Sequence, residues 1–203
     1  MIVPISVAVF TALFFTVLKL TEAALTDSYC SYLLKDPKNY DSSLPAKLAA
    51  AVLPRGRVFR GVSIPIPGKD GEEIHLGTVI VSRAGIFILC QINGSGILEN
   101  PPDRKWKLVS AGKFTEFENP FLHQKDARTL IEYYAASCVS PDVRAHSIVL
   151  YTGSHLKFTS QKPRGIMSAR ELPSRLAKME RTGRLSREQI RAACKMLSTI
   201  EAY

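Results

Sequence analysis

The sequence predicts an α/β fold, a mixed central β-sheet flanked by helices. Three observations carry that prediction. Two apolar runs, IHLGTVIVS and GIFILCQI, are joined by the short glycine-containing turn SRAG, which makes a hairpin. The unbroken apolarity of GIFIL implies a strand buried on both faces. The stretch PFLHQKDARTLIEYYAASC is amphipathic at helical spacing, and HSIVLYTG after it reads as another buried strand.

The elements follow in order. The first eighteen residues, MIVPISVAVFTALFFTVL, carry no charge, and Lys19 follows directly. At a rise of about 1.5 Å per residue this run reaches about 27 Å, close to the hydrocarbon thickness of a bilayer. It lacks the basic leader of a secretory signal, and Thr21-Glu22-Ala23 is a poor cleavage site. An uncleaved N-terminal transmembrane helix over residues 1–20 is therefore expected. Lys19, Lys35, Lys38 and the basic body lie on its C-terminal side, which should stay on the cytoplasmic face of a bacterial inner membrane.

Residues 21–44 read as a linker with a short helical piece. In PAKLAAAVLP, Pro45 suits a first helical turn, the alanines favour helix and Pro54 closes the segment. RVFRGVSIPIP alternates as a strand, with Pro65 and Pro67 marking an edge or an exit, and KDGEE is a hairpin turn. NGSG ends GIFILCQI, and WKLV and GKFTEFENP read as short strands on the rim. In the long helix, Leu122, Ala127, Leu130, Ile131 and Tyr134 define the apolar face.

Residues 45–160 thus form the body, and 161–203 a basic extension with two helices. Ser168 with Glu171 and Ser186 with Gln189 are capping boxes, and Gly183 suits the stop between them. From His155 onward eleven Lys or Arg face four Glu, so +7 of the formal +9 charge lies in the last quarter. Such a tail suits an anionic partner, nucleic acid or anionic lipid, or else a solvated face. Arg187, Arg191 and Lys195 make a basic row at i, i+4 spacing, apart from the apolar row Ile190, Ala193, Leu197 and Ile200.

Cys30, Cys90, Cys138 and Cys194 are dispersed, and His75, His123, His146 and His155 show no ligand spacing. No metal site, cofactor or disulfide framework is expected from them. Cys90 and Cys138 lie in apolar contexts and read as small core residues. Trp106, between Lys105 and Lys107, either stacks on a base or packs inside.

From Arg57 to Phe158 the chain resembles the nuclease-related domain (NERD) family, a branch of the PD-(D/E)xK nuclease fold. The resemblance rests on VFRGVSIP, on IHLGTVIVSRAGIFILCQINGSGIL, on Trp106, on the helix start at Asn119, Pro120 and Gln124, and on HSIVLYTGSHLKF. It implies a restriction-endonuclease-like sheet and, in this family, an active cleft holding an aspartate, a glutamate and a lysine. At those places stand Gly77, Cys90 and Ile92, with Thr78 where a histidine is usual. Gln124 matches a position that faces the active site.

The substitutions bear on the chemistry. Cleavage of a phosphodiester with a divalent ion needs carboxylate oxygens to hold the metal and charge to stabilise the transition state. Glycine offers no ligand, a thiol is a poor partner for Mg²⁺, and isoleucine carries no proton or charge. Two rescues are conceivable, relocated ligands at Glu72 and Glu73, or Cys90 paired with His75 as nucleophile and base. The expectation is a non-enzyme without cofactor: a membrane-held protein-interaction module, in a setting such as plasmid transfer control. The alternative is a DNA-binding protein that does not cut, working through Arg164, Arg170, Arg175, Arg184 and Arg187. The candidate binding residues are Gln124, Trp106, Arg187, Arg191 and Lys195.

Overall fold

Period-two and period-3.6 patterning together build two sheets with helices on both sides. The structure is a computed structural model, and it describes residues 12–18, 20, 43–54, 57–102, 105–153 and 155–200. The central sheet has the order β1-β2-β3-β7-β9, with β1 Val58–Pro65, β2 Glu73–Ser82, β3 Gly85–Ile92, β7 Ala145–Tyr151 and β9 Ile166–Ser168. The first three strands are antiparallel hairpin partners, and β3, β7 and β9 run parallel. The mixed sheet expected from the sequence is therefore present. Its outer strand β1 ends at Pro65, which lacks the N–H that a further ladder bond needs.

Two layers of helix cover this sheet. Helix α1 (Leu44–Val52) and helix α3 (Leu172–Thr182) bury Leu44, Leu48, Leu172 and Leu176 against Phe87, Leu89, Ile148 and Leu150. Helix α2 (Pro120–Cys138) and helix α4 (Arg187–Ile200) cover the other face, where Ala127, Ile131, Ile190 and Leu197 meet Val79, Val81, Ile86 and Ile88. The alternating residues of β3 thus go to opposite layers, as its apolarity requires. Each fully buried Leu or Ile contributes about 1.5–3 kcal/mol relative to exposure.

The rim strands do more than edge the sheet. Strands β4 (Gly96–Glu99), β5 (Trp106–Ser110), β6 (Lys113–Phe117) and β8 (Leu156–Phe158) form a second sheet of order β6-β5-β4-β8. A third core of Ile92, Leu98, Trp106, Leu108, Val149 and Ile166 joins it to the first.

Several expectations need correction, and the expected anchor lies largely outside the described residues. Among the described residues no helix is long and apolar enough to cross a membrane. Of the anchor expected over 1–20, residues 12–18 are helical with exposed side chains, while 1–11 lie outside the described residues, as do 21–42. The tail is not an appendage, because β9, α3 and α4 supply a sheet strand and part of all three cores. It also holds a short 3₁₀ turn, Ala169–Glu171, before α3, so the Ser168–Glu171 capping box opens that turn. The box at Ser186 and Gln189 holds as read. Gly183 ends α3 at φ −68°, so it is no left-handed cap. Its bare Cα lets the chain lie on the Arg83–Ala84 backbone, where a Cβ would collide.

Leu122 is exposed rather than part of the α2 stripe. It stands nine residues before Ile131, and at about 100° per residue that is the opposite side of the helix. Gln124 is seven residues before Ile131 and falls in line with it. Cys138 is exposed too, at the C-terminal end of α2.

Candidate functional site

The cleft begins with a fault in the sheet. In β2, Ile74 and Leu76 face the α2/α4 layer, but after Gly77 the phase reverses and Val79 and Val81 face it. In β1 the same switch separates Phe59 from Val62 and Ile64. The ladder is irregular there, and Gly61 and Gly77 have φ of 65° and 71°, the left-handed region that glycine enters without Cβ strain. Because β2 turns away at Gly77, it pairs with β3 only from Thr78 to Ser82. Cys90, Gln91 and Ile92 keep β7 on one side and lose a strand on the other.

A cavity of about 470 Å³ fills that fork, lined by Gly77, Thr78, Cys90, Gln91, Asn93 and Gln124, with Arg60 and His75 also contributing. The structure therefore brings together three residues that the sequence singled out from separate elements, Gly77, Cys90 and Gln124. Gln124 is only 4% exposed, and its Oε1 has no hydrogen-bond partner. Among the described side chains of α2, it is the one polar group that is buried. Its role is not to brace the helix start, which Asn119 performs by accepting the Phe121 N–H at 3.0 Å and donating to the Pro102 carbonyl at 2.7 Å. At the rim the Gln91 amide donates to Asn93 Oδ1, which also accepts the Thr152 hydroxyl at 3.0 Å.

Ile92 does not join them. It is 7% exposed and packs in the core between the sheets. Trp106 is 1% exposed, donates Nε1–H to the Pro101 carbonyl at 3.1 Å and meets Phe117 and Phe121 edge-on. It has no free face for a base. Arg187, Arg191 and Lys195 lie exposed along α4, and none of the three lines this cleft.

The donor set decides what the cleft can hold. The nuclease fold that the sequence resembles implies Mg²⁺, yet no Asp or Glu is among the described residues that line the cleft. A hard cation prefers carboxylate oxygen, and neutral amides with a thiol do not replace it, so the residues present do not fit that ion. Neither rescue is realised. Glu72 pairs with Lys69 at 2.8 Å on the exposed hairpin, and neither it nor Glu73 lines the cleft. Cys90 and His75 do share the cavity, but burial pushes the Cys90 thiol up to about 12. A nucleophilic cysteine needs the opposite shift. His75 meets Ser63 Oγ at 3.2 Å on the exposed side of the hairpin. Among the described residues no cluster of His, Cys, Asp and Glu is arranged to hold a metal.

A larger cleft, about 910 Å³, opens towards the other end of β3. Arg128, Arg164, Arg175 and Lys178 line it together with Phe87, Phe121, His146 and Ser147. Burial, reinforced by Arg128 and opposed by Glu132, holds the His146 imidazole below its ordinary range, and its ring stacks on Phe87 at 5.1 Å. Of the arginines that the sequence offered for DNA, Arg164 and Arg175 come here, whereas Arg170, Arg184 and Arg187 do not. Sequence reasoning missed Arg128, Ser147 and Lys178. Arg128 stands four residues after Gln124 on α2, a spacing that marks neighbours on a helix.

No protein-family model, curated protein or solved structure matches the chain.

Proposed function

We propose that this chain is a nuclease-like scaffold that binds without cutting, a protein-interaction module held at the inner face of a bacterial membrane by its N-terminal apolar run. One observation carries the reading: the fork at Gly77, where a phosphodiesterase of the resembled kind keeps its carboxylates, has no carboxylate among its described lining residues. Without a carboxylate to hold a divalent ion, the metal-based transition-state stabilisation of several kcal/mol that such an enzyme uses has no holder there. The cleft keeps the means to recognise, since a buried amide oxygen on Gln124 awaits a donor. Plasmid transfer control is a setting in which a tethered non-enzyme acts by contact alone.

The reading is tested by fractionation and cross-linking. The full chain is expected in the membrane pellet, and a variant lacking residues 1–20 in the supernatant. Cross-linking in intact membranes is expected to join the full chain to a component of a transfer or secretion apparatus. A full chain that stays in the supernatant overturns the tether.

A second reading, nucleic-acid binding without cleavage, draws on the basic cleft. It predicts steep loss of DNA retention with salt, to which each phosphate contact adds about one unit of slope.

A further inference from the structure

The basic cleft is a different place from the fork at Gly77, and its features converge on one kind of ligand. Its floor is the uncovered half of β7, because β9 pairs only with Val149–Tyr151. The Ala145 backbone is satisfied without a strand: its N–H goes to Glu132 at 3.0 Å and its carbonyl receives Arg128 Nε–H at 3.1 Å. Next along the floor, Ser147 Oγ is buried and has no hydrogen-bond partner. Gly165 seals the adjoining edge, since a Cβ there would come within 2.9 Å of the Ser147 carbonyl. An added peptide strand therefore finds little backbone to pair with, which argues against β-augmentation.

Charge tells more. Among the described residues, Arg128, Arg164, Arg175 and Lys178 line the cleft against one carboxylate, Glu171. Glu171 already accepts the Ser168 N–H at 2.9 Å within its capping box. The four cations have no carboxylate partner among the described residues, unlike Arg57, which is paired to Glu180. Cations gathered in a concave site in excess over its carboxylate, beside a hydroxyl that lacks an acceptor, suit phosphate oxygens. The remaining walls include Phe121, Met167 and Met179, which offer apolar surface for a flat group. The volume falls in the range of ordinary small-molecule sites, about 300–1,000 Å³.

We propose that this cleft binds a phosphate ester of nucleotide size, with Arg164, Arg175 and Lys178 holding the phosphates, Ser147 Oγ donating to a phosphate oxygen and Phe121 lying against the apolar part. Two sources supply that chemistry, a soluble nucleotide or a phospholipid headgroup.

The test is isothermal titration of the full chain in zwitterionic detergent with ADP, pyrophosphate and adenosine, and co-sedimentation with vesicles of phosphatidylglycerol or phosphatidylcholine. ADP is expected to saturate one site per chain while adenosine does not. Removing each charge-assisted contact costs about tenfold in affinity, so Arg164→Ala/Arg175→Ala is expected to weaken ADP by about a hundredfold. Ser147→Ala is expected to weaken it by a smaller factor. The charge-matched control R187A/R191A, on exposed α4, is expected to stay within about twofold. Phosphatidylglycerol binding that is lost in the cleft variant, with no ADP binding, assigns the site to a headgroup. Equal loss in the cleft variant and the control, or no saturable binding of any phosphate probe, overturns the proposal. These variants leave the fork at Gly77 intact, so their outcome is independent of whether the chain cuts DNA.

Discussion

Ile92→Lys is expected to destabilise the protein by about 3 kcal/mol or more, the scale for an unpaired charge placed in a packed interior. Ile92 sits among Leu98, Trp106, Leu108, Val149 and Ile166, and none of these offers a carboxylate or a spare acceptor. The lysine stem fills the space of the isoleucine, but its ammonium must then lie between two sheets or pull them apart to reach water. Urea unfolding of the full chain in detergent checks this, with Ile92→Met as the volume-conserving control at a cost below about 1.5 kcal/mol. A lysine variant within 1 kcal/mol of the parent (about a fivefold change in the unfolding constant) contradicts the placement of Ile92. The consequence reaches the chemistry. Rebuilding the resembled triad by Gly77→Asp, Cys90→Glu and Ile92→Lys would put a residue with a Cβ at φ 71° and a lysine in a core, so the substitutions are not separable from folding.

Gly153→Ala is expected to cost about 3 kcal/mol, the upper range for overpacking against atoms that cannot move aside. A Cβ at Gly153 would overlap the carbonyl of Gly94, and the nearest other atoms are also backbone. Two chain segments touch there, the exit of β7 and the turn that leads β3 into β4. Separating them breaks the Thr152–Asn93 hydrogen bond, 3.0 Å long, and with it the rim of the fork. The same unfolding measurement applies, and a loss below about 1 kcal/mol would show that the two segments are free to part.

Much of this architecture is legible in the residues. Apolar continuity in GIFIL, the alternation of β1, Pro120 behind the capping Asn119 and the Ser-x-x-Gln box at Ser186 are local signals whose causes act within a few residues. The fork is only half legible. A glycine inside a strand signals a bulge, but the reversal of side-chain phase at Gly77 depends on Gly61 in the neighbouring strand. The inward packing of Trp106 depends on a second sheet whose strands come from residues 96–99, 106–117 and 156–158. The row Arg187, Arg191 and Lys195 lies exposed along α4, and helical spacing alone cannot say what that face looks at. Here it is solvent. The basic cleft was illegible for a related reason: Arg128, Ser147, Arg164, Arg175 and Lys178 come from two helices, a strand and a loop, and only the sheet edge unites them.

The most direct measurement of the central claim is plasmid nicking by the full chain in Mg²⁺ or Mn²⁺, with Gln124→Ala prepared in parallel. The account predicts no cleavage above that of a mock preparation, in either metal and for either protein. Metal-dependent cleavage that co-purifies with the chain and falls in the Gln124→Ala protein would contradict it, because a fork with no carboxylate among its described lining residues would then be holding a working metal.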